Sequence, residues 1–191
     1  SGEEVAKSML GYYGLSSVSV VSVPGKLTDH YNPLNKTVNL SPEVFQGRSV
    51  ASAAIAAHEC GHAVQHSTSY FWLGMRSKMV PVVNASSRIM QFVFMASLFG
   101  MYSLSMGGNT ILLVLIATQA VIASFAVITL PVEYDASRRA LVWLKGAGIT
   151  NPQNHSMAED ALKWAARTYL VAAVAAVTTL LYYVMLYLRR N

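Results

Sequence analysis

Residues 89–132 read IMQFVFMASLFGMYSLSMGGNTILLVLIATQAVIASFAVITLPV and contain no Asp, Glu, Lys or Arg in 44 positions. The hydrocarbon core of a bilayer is about 30 Å thick and an α-helix rises about 1.5 Å per residue, so about 20 apolar residues cross it. The run is long enough to cross twice, and Gly107-Gly108-Asn109-Thr110 supplies a turn between the passages. A second uncharged run, 168–188, holds 21 residues and crosses once. The sequence therefore predicts three spanning helices, near 89–106, 111–130 and 169–188. A chain of 191 residues is too short to enclose three such helices in a water-soluble core.

The chain is 53% hydrophobic and 12% charged, with a mean hydropathy of +0.39. Soluble domains carry about 25% charged residues. So little charge beside so much apolar content excludes a disordered chain, and the single Cys60 excludes a disulfide scaffold. The start, Ser1-Gly2-Glu3-Glu4, is polar and acidic and does not read as a signal peptide. A net charge of +5 could suit nucleic acid, but no basic groove with interleaved aromatics is present. Arg76, Lys78, Arg88, Arg138, Arg139, Lys145, Lys163 and Arg167 instead flank the span ends of one side, against Arg189 and Arg190 at the other. That asymmetry makes the first side cytoplasmic.

Outside the spans the pattern is mixed. Residues 3–13 place acids in a first turn and apolar side chains at Val5, Met9, Leu10 and Tyr13, an amphipathic helix ended by Gly14. Residues 18–23 are β-branched and largely alternating, a strand closed by Pro24-Gly25. Residues 37–40 form a second strand, and the two make a small sheet. Ser41-Pro42 opens a helical turn. From Ser49 to about His66 an Ala-rich run favours helix and packs closely at the centre of the structure. A helix around 133–145 continues the second span past Pro131 and stops at Gly146, and another opens with Ser156-Met157-Ala158-Glu159, a capping-box pattern.

Within the Ala-rich helix, His58-Glu59-Cys60-Gly61-His62 has the form H-E-x-x-H. Positions four apart share a helix face, so both imidazoles can hold one Zn²⁺. Glu59 is turned about 100° from His58, which suits a general base acting on water rather than a metal ligand. Cys60 points away from the histidine face and reads as a packing residue. A catalytic zinc takes three protein ligands and keeps one position open. For the third, Glu133 is favoured, as the first charge after the long uncharged run, where a carboxylate is costly unless paired or metal-bound. His66, two turns beyond His58, and His155, in a polar loop, are the alternatives.

Three segments, LTDHYNP (27–33), AAHECGHAVQH (56–66) and LPVEYDASRRA (130–140), resemble in order the bacterial membrane-bound neutral zinc metallopeptidases of the YugP type. The resemblance covers essentially the whole chain. It implies a multi-pass membrane zinc peptidase of gluzincin type with a zincin-like active-site helix and Glu133 as third ligand, and family members carry a further hydrophobic segment at the N-terminus. Gluzincin membrane peptidases often show E-x-x-x-D, with the Asp bracing a ligand histidine. Here Ser137 stands at that position, leaving Asp135, Ser137 or Asp29 to do so. The Asp29-His30-Tyr31 segment reads either as a polar cluster beside the zinc, with His30 or Tyr31 donating to an oxyanion, or as an ordinary turn. Arg138 is a rival donor.

The expectation is thus a mainly α, multi-pass membrane protein with a small β element. Its parts are a cytoplasmic-facing catalytic part with the H-E-x-x-H helix (1–88), a transmembrane hairpin (89–130), cytoplasmic-facing helices with the third ligand (131–167) and a C-terminal span (168–191). It would hydrolyse peptide bonds in peptides or membrane proteins, with Glu59 as base and an extended substrate added to the edge of the 37–40 strand. A non-proteolytic zinc-binding scaffold is the alternative. Cleavage within the bilayer is disfavoured, because Arg48 and a short apolar run precede His58.

Overall fold

The computed structural model describes residues 1–98 and 108–190, with side chains given outside 97–108. In chain order the elements are α1 (Gly2–Tyr12), β1 (Ser19–Ser22), β2 (His30–Asn32), β3 (Thr37–Leu40), α2 (Pro42–Phe45), α3 (Val50–Ser67), α4 (Phe71–Leu98), α5 (Gly108–Gly146) and α6 (His155–Arg190). They fall into two compact units, Ser1–Gly74 with Pro131–Arg167, and Met75–Leu130 with Thr168–Asn191.

In the first unit the helix starts are set by capping. Ser1 and Glu4 form a reciprocal capping box on α1. The Ser49 hydroxyl accepts from the Ser52 amide at the start of α3. The apolar face of α1 (Val5, Ala6, Met9, Leu10) packs with Ala53, Ala54, Ala56, Ala57, Cys60 and Ala63 of α3, and Val38 and Leu40 of β3 complete that side of the core. Trp143 and Leu144 of α5, with Ala158 and Leu162 of α6, belong to the same cluster. The Ala-rich surface of α3 is what lets other elements come this close.

The approach is tightest at Gly61. A Cβ there would lie 2.6 Å from the Ala136 carbonyl oxygen and 3.1 Å from its Cα. The α3 backbone therefore rests on the α5 backbone in the middle of the histidine motif. Gly61→Ala forces the two helices apart, and overpacking of this kind costs about 1–3 kcal/mol. A thermal melt of the purified protein should show a clearly lowered midpoint, and zinc affinity should fall with it.

The sheet differs from expectation. It has three strands in the order β1-β3-β2, with β1 parallel and β2 antiparallel to β3. Both edges of β3 are therefore paired, so an extended substrate cannot add to residues 37–40, and the free edges belong to β1 and β2. The cause is β2, which pairs His30 with Asn39 and Asn32 with Thr37 through a turn held by the Asn32 side chain.

Among the described residues, two helices, α5 and α6, are long and apolar enough to cross a membrane. Three were expected. The missing one, 89–106, runs into residues 99–107, which lie outside the described set. Its described part is the end of α4, where 89–98 would rise only about 15 Å. Elsewhere the continuity is as the sequence implies: Pro131 lies inside α5 without ending it, and α6 runs from His155 through the uncharged segment. Large apolar side chains along α6, among them Val171, Val174, Leu181 and Met185, are exposed, which fits a membrane protein. Within the second unit, the buried Gln119 of α5 donates to the Ala176 carbonyl of α6 at 2.9 Å, a polar tie between these helices.

Candidate metal centre

Helix α3 presents His58 and His62 one turn apart, with ring centroids 4.7 Å from each other. Helix α5 brings Glu133 to them. One donor atom from each of the three side chains lies within 4.8 Å of the other two. Glu133 Oε2 is 3.3 Å from His58 Nε2 and 3.6 Å from His62 Nε2. Bonds of about 2.0–2.2 Å to a tetrahedral zinc set donor atoms about 3.3–3.6 Å apart, so the carboxylate–imidazole separations suit that ion.

The chemistry of the donors points the same way. Glu133 is 3% exposed, and its Oε2 is buried without a hydrogen bond. A carboxylate oxygen left so is costly in a protein interior unless a cation meets it. Burial disfavours the His62 imidazolium, but the neighbouring Glu133 and Glu59 carboxylates and Gln65 outweigh it and hold its pKa above the ordinary value.

Each imidazole is oriented from behind. His58 Nδ1 pairs with Ser137 Oγ at 3.1 Å, and His62 Nδ1 with Gln65 Oε1 at 3.0 Å. The Gln65 amide cannot turn over, because its Nε2 donates to the Val132 carbonyl at 2.8 Å and to Asp135 Oδ2 at 2.9 Å. Its Oε1 is thus an acceptor for His62, which puts the proton on Nδ1 and leaves Nε2 to face Glu133. Asp135 is anchored in turn by Arg138 and by Arg139, the latter at 2.6 Å. So Ser137 acts directly on His58, Asp135 acts on His62 through Gln65, and Asp29 does neither. Asp29 accepts from the Ser41 amide at 2.8 Å and from the Ser41 hydroxyl, tying the start of β2 to the junction of β3 and α2. Gln65 escaped the sequence reading, although it stands three residues past His62 on the same helix and is fully buried. Gln65→Leu keeps the volume but removes the acceptor; zinc affinity measured against a competing chelator should fall about 10- to 100-fold, with the fold retained by circular dichroism.

Glu59 is buried at 8% exposure and makes no hydrogen bond or ion pair among the described residues. Cys60 faces the other way, its Sγ toward the Ala6 carbonyl of α1 at 3.6 Å, and burial pushes its thiol pKa far up. The remaining histidines engage elsewhere. His66 Nδ1 pairs with the Tyr31 hydroxyl at 3.0 Å, and His155 sits between Thr150 Oγ1 and Glu159. His30 Nδ1 pairs with the Thr28 carbonyl at 2.7 Å. Neither His30 nor Tyr31 joins the three-donor cluster through a hydrogen bond, but Tyr31 is held against the last turns of α3.

Two imidazoles and one carboxylate make a three-donor set of the kind that zinc accepts. Comparison with known proteins makes the class specific. The chain belongs to the family described as "Putative neutral zinc metallopeptidase", whose model matches residues 1–188. It is 38% identical over 188 residues to the "Putative membrane protease YugP" of Bacillus subtilis (strain 168), an alignment covering 98% of this chain and 81% of that one. No solved structure matches the chain.

Proposed function

We propose that this chain is a membrane-bound zinc metalloendopeptidase of gluzincin type, with His58, His62 and Glu133 holding the metal and Glu59 acting as general base. The observation that carries the reading is the convergence of three donor atoms within 4.8 Å, with the neighbouring Glu59 carboxylate buried and in no hydrogen bond or ion pair among the described residues. Family membership and the named relative support it.

Zinc, when bound, supplies Lewis-acid chemistry, acidifying water and polarising a peptide carbonyl. The protein's part is orientation and proton transfer. Ser137 and Gln65 fix both imidazoles with Nε2 toward the donor cluster. Glu59 accepts a proton from the attacking water and returns it to the amine nitrogen as the C–N bond breaks, while the water oxygen stays in the new carboxyl group. An extended substrate fits the free edge of β2 better than β3, whose edges are both used, and strand addition would align its backbone there. Of His30 and Tyr31, Tyr31 is the better candidate for an oxyanion donor, because its hydroxyl already lies toward α3. The chain is read as multi-pass, with the site on the cytoplasmic side where the flanking cations cluster. Peptides and segments of membrane proteins are the substrate class.

The test is incubation of the full chain, loaded with zinc in detergent, with a quenched peptide library and mass spectrometry of the products. Cleavage should require both zinc and Glu59. A zinc-replete protein that cleaves nothing would favour the scaffold alternative.

A further inference from the structure

Helix α3 carries one more imidazole on the stripe that begins with His58 and His62. His66 stands one turn beyond His62, about 6 Å further along the helix. It meets Tyr31 of β2 instead of the donor cluster. The phenolic oxygen and His66 Nδ1 are 3.0 Å apart, and the two rings are tilted at 51° with centroids 5.9 Å apart. The tautomer of this imidazole is free where those of its neighbours are engaged. His58 Nδ1 pairs with Ser137, and His62 Nδ1 faces the fixed acceptor of Gln65. His66 is exposed, and its Nε2 has no partner among the described residues, so water can exchange its protons and either nitrogen can carry one.

That freedom decides what Tyr31 can do. Tyr31 is half-buried, and burial raises its phenol pKa above the ordinary value, so the hydroxyl stays a donor. A phenol has one hydrogen to give. When Tyr31 gives it to His66 Nδ1, none is left for a substrate. When Nδ1 carries the hydrogen and donates to the phenolic oxygen, the Tyr31 hydrogen is released for another acceptor. The bond that the oxygen then receives strengthens the one it donates. Negative charge developing on a substrate oxygen selects this second arrangement, because only there does the hydroxyl offer it a hydrogen.

We propose that His66 is a positioning residue for peptide hydrolysis. Its Nδ1–H donates to the Tyr31 oxygen and so aims the Tyr31 hydroxyl at the oxyanion that forms when water adds to the peptide carbonyl. Tyr31 keeps its hydrogen throughout and lends it as a hydrogen bond. The proposal rests on the peptidase reading of the His58, His62 and Glu133 site, and it makes oxyanion recognition depend on a side chain outside that site.

The test measures, by calorimetry on the zinc-loaded full chain in detergent, the binding of a phosphinic analogue of tetra-alanine, whose tetrahedral phosphinate carries the oxyanion. Y31F should weaken binding about 100-fold, as for a lost hydrogen bond to a charged group, and H66L about tenfold, as for a lost neutral one. Asn and Leu are close in size, but Asn can place an N–H where Nδ1 stands, so H66N should bind within about threefold of wild type. Y31F/H66L should bind no more weakly than Y31F, because no hydroxyl remains to be aimed. Zinc content should be the same in every variant. Nitrogen-15 NMR of the histidine-labelled complex should show the His66 hydrogen on Nδ1. A wild type that binds the phosphinate no better than tetra-alanine would overturn the proposal. So would H66L binding as tightly as wild type, H66N binding as weakly as H66L, a full H66L loss on top of Y31F, or a His66 hydrogen on Nε2 alone. A zinc-replete chain that binds the phosphinate through Tyr31 and His66 yet cleaves no peptide would instead count against the peptidase reading.

Discussion

Glu59→Gln should retain its zinc and lose about 10²- to 10⁴-fold in peptide hydrolysis, the range expected when a positioned proton acceptor is removed. The substitution is nearly isosteric. Glu59 holds no hydrogen bond or ion pair among the described residues, so neutralising it orphans no partner and leaves the packing of α3 undisturbed. The loss should therefore fall on turnover, with metal content and melting temperature close to wild type. Cleavage of the same library at the wild-type rate by a zinc-loaded Glu59→Gln protein would remove Glu59 from its proposed role.

The second large effect concerns Glu133. On the proposed reading, Glu133→Ala removes one of three ligands, and zinc affinity should drop by more than the 10- to 100-fold typical of a supporting residue. It also takes away the carboxylate that raises the His62 pKa. Metal analysis after dialysis against a weak chelator distinguishes the outcomes. A variant retaining one zinc per chain would exclude Glu133 from the ligand set. Comparison with Gln65→Leu separates a lost ligand from a lost orienting contact, since the latter should weaken the metal without expelling it.

Much of the scaffold is legible in local chemistry. The amphipathic helix over residues 3–13, the Ala-rich helix from Ser49 and the helical run through Pro131 each follow from a few neighbouring residues. So do the H-E-x-x-H spacing and the isolation of Glu133 after 44 uncharged positions. What sequence cannot carry is which elements meet. Strand β2 spans only His30–Asn32, too short for alternation to register, yet it occupies the β3 edge assigned beforehand to substrate. The bracing of His62 depends on an amide locked between a backbone carbonyl and a carboxylate 67 and 70 residues away. Gly61 carries a similar lesson. Inside the motif it reads as a variable position, and only the neighbouring Ala136 backbone shows why a side chain has no room there.

The most direct measurement is zinc K-edge X-ray absorption on the full chain loaded with one equivalent of zinc. A metal held by His58, His62 and Glu133 predicts only nitrogen and oxygen neighbours at about 2.0–2.2 Å, with outer-shell scattering from two imidazole rings. A third imidazole would contradict the account by bringing in His66 or His155. A sulfur at about 2.3 Å would contradict it by turning Cys60 toward the metal.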